Sequence, residues 1–470
     1  MNSIKNELVP SKDEMFKWTT KIFNQGIRRP GYPANYKTES WIKNQFERFG
    51  MEQIVLDPIK VKKWENFAAH LKIWLINEPE NIIEIPCFPV PYTKSADNIE
   101  GELALISNKT SISKKIGVAH YNLLKLPLKI IPKILKTDEY RYYDPENEFN
   151  KLKQMLPFDI QKRNILDSYL IKDALGLIVI LSGYPWETDK YYVPYDAVER
   201  NISAVYVSPK NGKKISILME KGIVRANISS KTKITEVISH NITGTLQGNS
   251  DEWVIIGTHH DGPWNSAVED ASGMTLVLAQ ANYWPQIPKN LRPFNMMFLM
   301  NCAHMAGAQG AANFIERNKD LLEKTIIAIH LEHVARDVKS EDGKLIPLNK
   351  PTVRWWFVSR ITELVDSVEN AIKREDLKRS IIFPPEGFPP GSDKPPTDGC
   401  FYHTKSIPFI SFLTAPPYLF DPADTLDKIH QDSYVPLTRA IIHIINELKV
   451  LSTKELKSFD LDKTDKNKIK

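Results

Sequence analysis

Cysteine is scarce in this chain. Cys87, Cys302 and Cys400 are the three present, odd in number and far apart. They exclude a disulfide framework, and the lack of any C-x-x-C pair excludes a cysteine-based zinc module. Long apolar runs are missing as well: no stretch approaches the ~18–20 residues of a membrane span. The opening Met1-Asn-Ser-Ile-Lys-Asn-Glu-Leu-Val-Pro10 holds no apolar signal core. Charge of one sign is not in excess either. The formal net charge is +5 over 470 residues and the basic residues are scattered, which argues against a nucleic-acid partner. No internal repeat is evident. These absences leave the expectation of a cytoplasmic, soluble protein of two or three domains with a small-molecule or peptide substrate; a homo-oligomer is compatible with it.

What is present divides the chain. Ser11-Lys-Asp-Glu14 reads as a capping box opening a helix. A Gly26-to-Pro33 turn separates that helix from a second, about Tyr36 to Phe49, ended by Gly50. Alternation between Glu52 and Ile83 predicts strands. Short β-like pieces then run from Leu103-Ala-Leu-Ile106 to Ile223-Val-Arg-Ala-Asn-Ile228. The expected division is 1–84, helices and strands joining the catalytic domain; 85–235, an inserted β-rich domain; 236–452, an α/β domain; and 453–470, a frayed charged tail. The basic and apolar segment Leu123–Lys136 reads as surface chain with buried Leu and Ile, because its two prolines break a continuous amphipathic helix. From His240 onwards buried strands (Trp253–Gly257, Phe294–Met300, Thr325–Leu331) alternate with helices (Ala271–Tyr283, Ala306–Asn318). Alternation of this kind predicts an α/β fold with a mostly parallel sheet between helices.

The chemistry concentrates in that last region. Five of the eleven histidines, His259, His260, His304, His330 and His333, lie at or just after predicted strand ends. Ligands of an α/β enzyme gather at the C-terminal ends of its strands, and imidazoles grouped with carboxylates there point to a metal. In His259-His-Asp261 the first histidine is the expected ligand and Asp261 the carboxylate that orients its ring. Glu269-Asp-Ala-Ser-Gly273 opens a helix, where Asp270 and Ser272 suit capping and Glu269 suits ligation. On a continuing strand His330 and Glu332 share one face and His333 the other, so Glu332 is the expected ligand and His333 is not.

These motifs resemble the co-catalytic zinc aminopeptidases and carboxypeptidases that include bacterial leucyl aminopeptidases, glutamate carboxypeptidase and the transferrin receptor. The likeness runs over nearly the whole chain. Gly26-Ile-Arg-Arg-Pro-Gly31 is similar to the family's N-terminal turn, 85–235 to its protease-associated domain, and His240–Gly248 to the strand entering its catalytic domain. Thr397-Asp398, Ile407-Pro408 and Asp424-Thr425 resemble its C-terminal landmarks. The resemblance implies two zinc ions held by a His, a bridging Asp, a Glu, an Asp and a C-terminal His, with a neighbouring Glu as general base. By position, His259 matches the first His, Glu269 the bridging Asp and Glu332 the later Asp. The family's Glu-Glu pair falls on Ala303-His304 and its last His on Phe420, so the base and part of the second metal site are rewritten.

The resulting expectation is a metal-dependent hydrolase of an amide-type bond, mononuclear, with a substrate that need not be a peptide. Its metal ligands are His259, Glu269, Glu332 and His304, and its catalytic residues His304, as ligand or base, and Asp261. The cofactor is one divalent ion, zinc first, with iron or manganese also suited to nitrogen and oxygen donors. Trp264, Phe401, Tyr402, Phe420 and the loop Phe383–Gly391 are expected to line an apolar pocket. Two alternatives stand beside this reading. One is a non-catalytic binding or scaffold protein, which the missing base favours. The other is an ordinary two-zinc aminopeptidase, with a residue such as His403 replacing the last ligand.

Overall fold

Two very long strands organise the molecule. The computed structural model describes residues 4–107, 111–131, 133, 140–157, 165–386, 388, 392–449 and 456. Its first half contains the strands Gln53–Leu75 (β1), Ala96–Leu105 (β2), Ile116–His120 (β3), Gly176–Ile180 (β4), Ala204–Val207 (β5) and Val224–Leu246 (β6). The second half contains Trp253–His259 (β7), Asn295–Asn301 (β8), Thr325–Leu331 (β9), Arg354–Val358 (β10), Ser380–Phe383 (β11) and Phe409–Thr414 (β12). Among the described residues these strands join one mixed sheet in the order β5-β4-β3-β2-β6-β8-β7-β9-β12-β10-β11. β1 lies antiparallel along nearly the whole of β6.

β1 replaces the shorter strands expected between 52 and 83. Pro58 does not interrupt it, because β1 is an edge strand over most of its length and an edge tolerates a missing N–H. The expected helices are present. Lys12–Phe23 (α1) starts at Ser11, whose hydroxyl accepts from the Glu14 N–H at 3.2 Å. Pro33–Phe49 (α2) has proline in its first turn and closes on Gly50 at φ 82°.

β7, β8, β9 and β12 are mutually parallel neighbours, which brings their C-terminal ends to one rim. Alternate residues of each enter different cores. Val254, Ile256, Phe298, Ile329 and Phe412 face one side; Ile255, Leu299, Ala328 and Phe409 face the other. Gly273–Tyr283 (α3), Thr362–Arg374 (α5) and Tyr434–Leu448 (α6) cover the first side, and Phe314 and Ile315 of Gln309–Arg317 (α4) help cover the second. A sheet buried on both faces needs strands that are apolar through their middles, as Val254–Ile256, Met296–Met300 and Ile326–Ile329 are. In the basic segment, Leu126, Leu128 and Ile131 are buried in the second core with Trp355, as surface chain with buried leucines predicts. Pro132 and Ile134–Lys136 of that segment, the expected tail except Leu456, and Gly387 with Pro389–Gly391 lie outside the described residues.

Candidate metal centre

The shared rim assembles the centre from three strand ends. β7 ends on His259, β8 leads to His304, and β9 leads to Glu332 and His333. His259, Glu269, Glu332 and His333 are buried, while His304 is partly buried. Two groups have ligand atoms all within 4.8 Å of one another: His259, Glu269 and His333, and His259, His304 and Glu332. All four expected ligands are therefore brought together, and one residue excluded by the strand-face argument joins them. β9 ends at Leu331, and His333 takes a left-handed backbone at φ 51°, so the face rule no longer applies to it. Asp270 holds this turn by accepting from the His333 N–H at 3.1 Å, while Ser272 Oγ accepts from the Val334 N–H at 2.8 Å. Asp270 also accepts from the Gly273 N–H at 3.2 Å, the expected capping contact.

Asp261 acts differently from expectation. The ring of His259 is oriented by the backbone carbonyl of Asp261, to which Nδ1 donates at 3.0 Å, while the nearer carboxylate oxygen lies 3.7 Å from that nitrogen. The carboxylate instead accepts from the His304 N–H at 3.0 Å and the Met305 N–H at 2.7 Å. It thus holds the turn after β8, where Ala303 has φ 59°. Asp261 is a positioning residue for His304.

The polar partners around the centre are specific. His304 Nδ1 donates to Asp398 at 2.9 Å, and His330 Nε2 to Glu332 at 2.6 Å. His333 Nδ1 donates to the Thr414 carbonyl at 2.6 Å. Rings stack in a column: His259 on His304 (centroids 4.1 Å apart, planes 10°), His304 on Tyr195 (5.4 Å) and Tyr195 on Phe420 (5.0 Å). Tyr195 and Asp398 had no expected site role. Thr397-Asp398 stood out only as a landmark, and nothing near Tyr195 in sequence marks it.

Glu269 is held by its backbone as well as its side chain. Asp424 accepts from the N–H groups of Val268 at 2.7 Å and Glu269 at 2.9 Å. Arg28, fully buried, donates to the carbonyls of His260, Asn265, Ser266 and Glu269. Gly262 lies in this loop, and a Cβ there would stand 2.5 Å from the Glu269 carbonyl. Gly262→Ala is therefore expected to displace Glu269 and weaken metal binding, which a chelator-competition titration of the purified variant checks. Unchanged affinity would show that the loop yields without moving its ligand.

Burial opposes charge on every group here, but the mixture of signs decides the outcome. Burial raises the Glu269 carboxyl, yet His333 and His259 more than compensate and hold it far below the usual range. Burial disfavours the His333 imidazolium, yet Glu269, with Glu332 and Asp270, lifts it to about 10. Burial opposes the His304 imidazolium, yet Asp398, Glu269 and Glu332 raise its pKa well above the ordinary value. For the metal-free protein the signs are opposite. The Glu269 contribution to stability is present above its ordinary pKa of 4.5 and lost in acid. The His333 contribution is present below 6.5 and lost as pH rises towards 10. The melting temperature of chelator-treated protein is expected to fall between pH 7 and 10, and a flat or rising profile would contradict this assignment.

The pocket differs from expectation in its membership. A cavity of about 50 Å³ beside the centre is lined by Leu156, Tyr195, Trp355, Phe388, Leu413 and Phe420, among others. Phe420 and Phe388 were expected there. Trp264 is not part of the lining, because it packs against Phe88 and the Arg29 guanidinium. Phe401 and Tyr402 are also outside it, associated with the second core. His403 joins neither ligand group; its Nε2 lies 3.0 Å from Glu386.

A parallel-stranded α/β fold with imidazoles and carboxylates at its strand ends defines a metal-dependent, hydrolase-like protein. Residues 241–445 match the model of Peptidase family M28, and this match together with the fold supports a metal-dependent, peptidase-like hydrolase. No curated protein matches the sequence. Among solved structures it is similar to an aminopeptidase from Aneurinibacillus sp. strain AM-1 (16% identity, 94% of each chain covered, TM-score 0.62). It is also similar to BSAP, described as a zinc aminopeptidase from Bacillus subtilis (12% identity, 93% of this chain and 94% of that one, TM-score 0.64). A Peptidase M28 precursor from Shewanella amazonensis SB2B is a third such structure (15% identity, 93% and 97%, TM-score 0.64). At these identities the likeness establishes the fold.

Proposed function

We propose that this chain hydrolyses an amide-type bond with one divalent ion, zinc by analogy with the Bacillus subtilis relative, and that its substrate is a small uncharged amide bearing an apolar group. The observation that carries the single-ion reading is that His259 belongs to both ligand groups. Its Nδ1 is committed to the Asp261 carbonyl, which leaves Nε2, with one lone pair, for one ion. The donor set fits such an ion. His259 Nε2, both oxygens of Glu269 and His333 Nε2 are buried without any hydrogen-bond partner, a condition that costs free energy unless something occupies the space between them. An ion bound there supplies Lewis acidity, polarising a carbonyl and acidifying water. His304, held by Asp398, presents Nε2 towards the same space and is the group placed to hold and move a proton there.

Substrate class follows from the surroundings. The cavity is apolar apart from the centre itself. A substrate ammonium would need a free carboxylate, yet Glu269 faces His259 and His333, and Glu332 is bonded to His330. Asp398 keeps one unpartnered oxygen, but it lies on the Nδ1 side of His304 and outside the cavity lining. The three free, separated cysteines suit a reducing, cytoplasmic setting. We also propose 85–235 as an inserted unit, supported by an apolar cluster around Val118, Ile178 and Val205 that also takes in Leu71, Ile73 and Leu75 of β1.

Metal analysis of purified protein, paired with hydrolysis of N-acylated against free-amine chromogenic amides, tests the reading. One ion per chain and preference for the blocked amide are expected. Two ions, or preference for the free amine, would replace it with a two-zinc aminopeptidase.

A further inference from the structure

We infer that the ion's third ligand is His333, beside His259 and Glu269, and that His304 and Glu332 stay outside its coordination. This rests on the single-ion reading above and specifies its seat.

The hydrogen-bond directions carry the argument. His259 and His333 each spend Nδ1–H on a backbone carbonyl, of Asp261 and Thr414 respectively. A carbonyl oxygen only accepts, so each neutral ring presents a bare lone pair at Nε2. Both lone pairs face the same carboxylate: His333 Nε2 lies 2.6 Å from Glu269 Oε2 and His259 Nε2 lies 3.4 Å from Oε1. Despite these short separations, none of the four atoms has a partner in hydrogen-bond geometry. Bare nitrogen and ionised oxygen repel at such distances, so a proton or a cation stands between them, and a bound ion takes the place of the proton. Two imidazoles and a carboxylate converging on one point, all buried, supply a cation seat.

The second group lacks these properties. Glu332 already accepts from His330 at 2.6 Å. The His304 and His259 rings are nearly parallel, with planes 10° apart and centroids 4.1 Å apart. Imidazole lone pairs lie in the ring plane, so two stacked rings direct them along separate planes. An ion placed in the plane of His259 is out of the plane of His304, and the Asp398 contact fixes His304 in that orientation. His333 has no such obstacle.

The test compares wild type with His333→Ala, His304→Ala and Glu332→Gln. Metal-free proteins are titrated with Zn²⁺ against a chromophoric chelator and with Co²⁺ by visible absorption, and circular dichroism reports folding. His333→Ala is expected to weaken Zn²⁺ by more than the roughly 10- to 100-fold that an outer partner is worth, and to change the Co²⁺ spectrum. His304→Ala and Glu332→Gln should remain within that range with the spectrum retained. Zinc-loaded wild-type crystals give a variant-free measurement: the anomalous peak should lie about 2.0–2.1 Å from His333 Nε2. Wild-type affinity in His333→Ala, or a peak bonded to His304 instead, overturns the assignment. Two ions in wild type would overturn the single-ion reading itself, a separate outcome.

Discussion

His259→Ala protein is expected to fold, to bind no ion tightly and to lose hydrolysis altogether. His259 is the member common to both ligand groups, so its loss disables either seat, whichever the ion uses. The loss should exceed the roughly 10- to 100-fold effects seen when only a partner of a ligand is removed. Folding should survive because Trp253–Gly257 of β7 is apolar and pairs with a strand on each side. In the metal-free protein the change even relieves one unpartnered buried nitrogen. Metal content, amide hydrolysis and the melting temperature of chelator-treated protein measure the three parts of this expectation. Retained hydrolysis in metal-free His259→Ala would refute dependence on this centre; a collapsed fold would show that His259 is needed for packing.

The alternation of buried strands and helices after His240 was enough to read the parallel sheet, because strands covered on both faces are apolar at every position. Trp253–Gly257 and Ile326–Ile329 are of this kind. His259, Glu269, Glu332 and His304 were legible because strand ends on one rim bring sequence-distant loops together. The errors come from backbone conformation at those ends. A two-residue period excludes His333 only while the strand continues, and no residue type after Leu331 announces the left-handed turn. Asp261 was assigned the right neighbourhood and the wrong contact, since a carbonyl orients His259 as well as a carboxylate does. Tyr195 reaches His304 by tertiary packing that no local pattern encodes. Arg28 and Arg29 read as part of a turn, although their side chains run into the metal loop.

Arg28→Met is expected to destabilise the protein by about 3–5 kcal/mol, the scale at which breaking a buried charged set is felt. Burial lowers the Arg28 pKa to about 10, which still leaves it charged at neutral pH. That charge lies among Asp424, Asp270, Asp261 and Glu269. Methionine fills much of the volume but donates nothing, so the carbonyls of His260, Asn265, Ser266 and Glu269 lose their buried donor. Each unsatisfied group costs about 1–3 kcal/mol before relaxation. Relaxation is limited because Arg29 holds the same loop from the neighbouring position: its Nε donates to the Pro263 carbonyl at 2.6 Å, and its guanidinium lies between Tyr192 and Trp264 at 4.3 and 4.4 Å. The loop therefore cannot simply swing to solvent. It must keep unpaired carbonyls or give up the Arg29 contacts as well. Arg28→Lys retains charge but not the fork of donors, so it should fall between wild type and methionine. Denaturant unfolding of the metal-free proteins measures the series. A methionine variant within about 1 kcal/mol of wild type would show that Asp424 and Arg29 hold the Glu269 loop without Arg28.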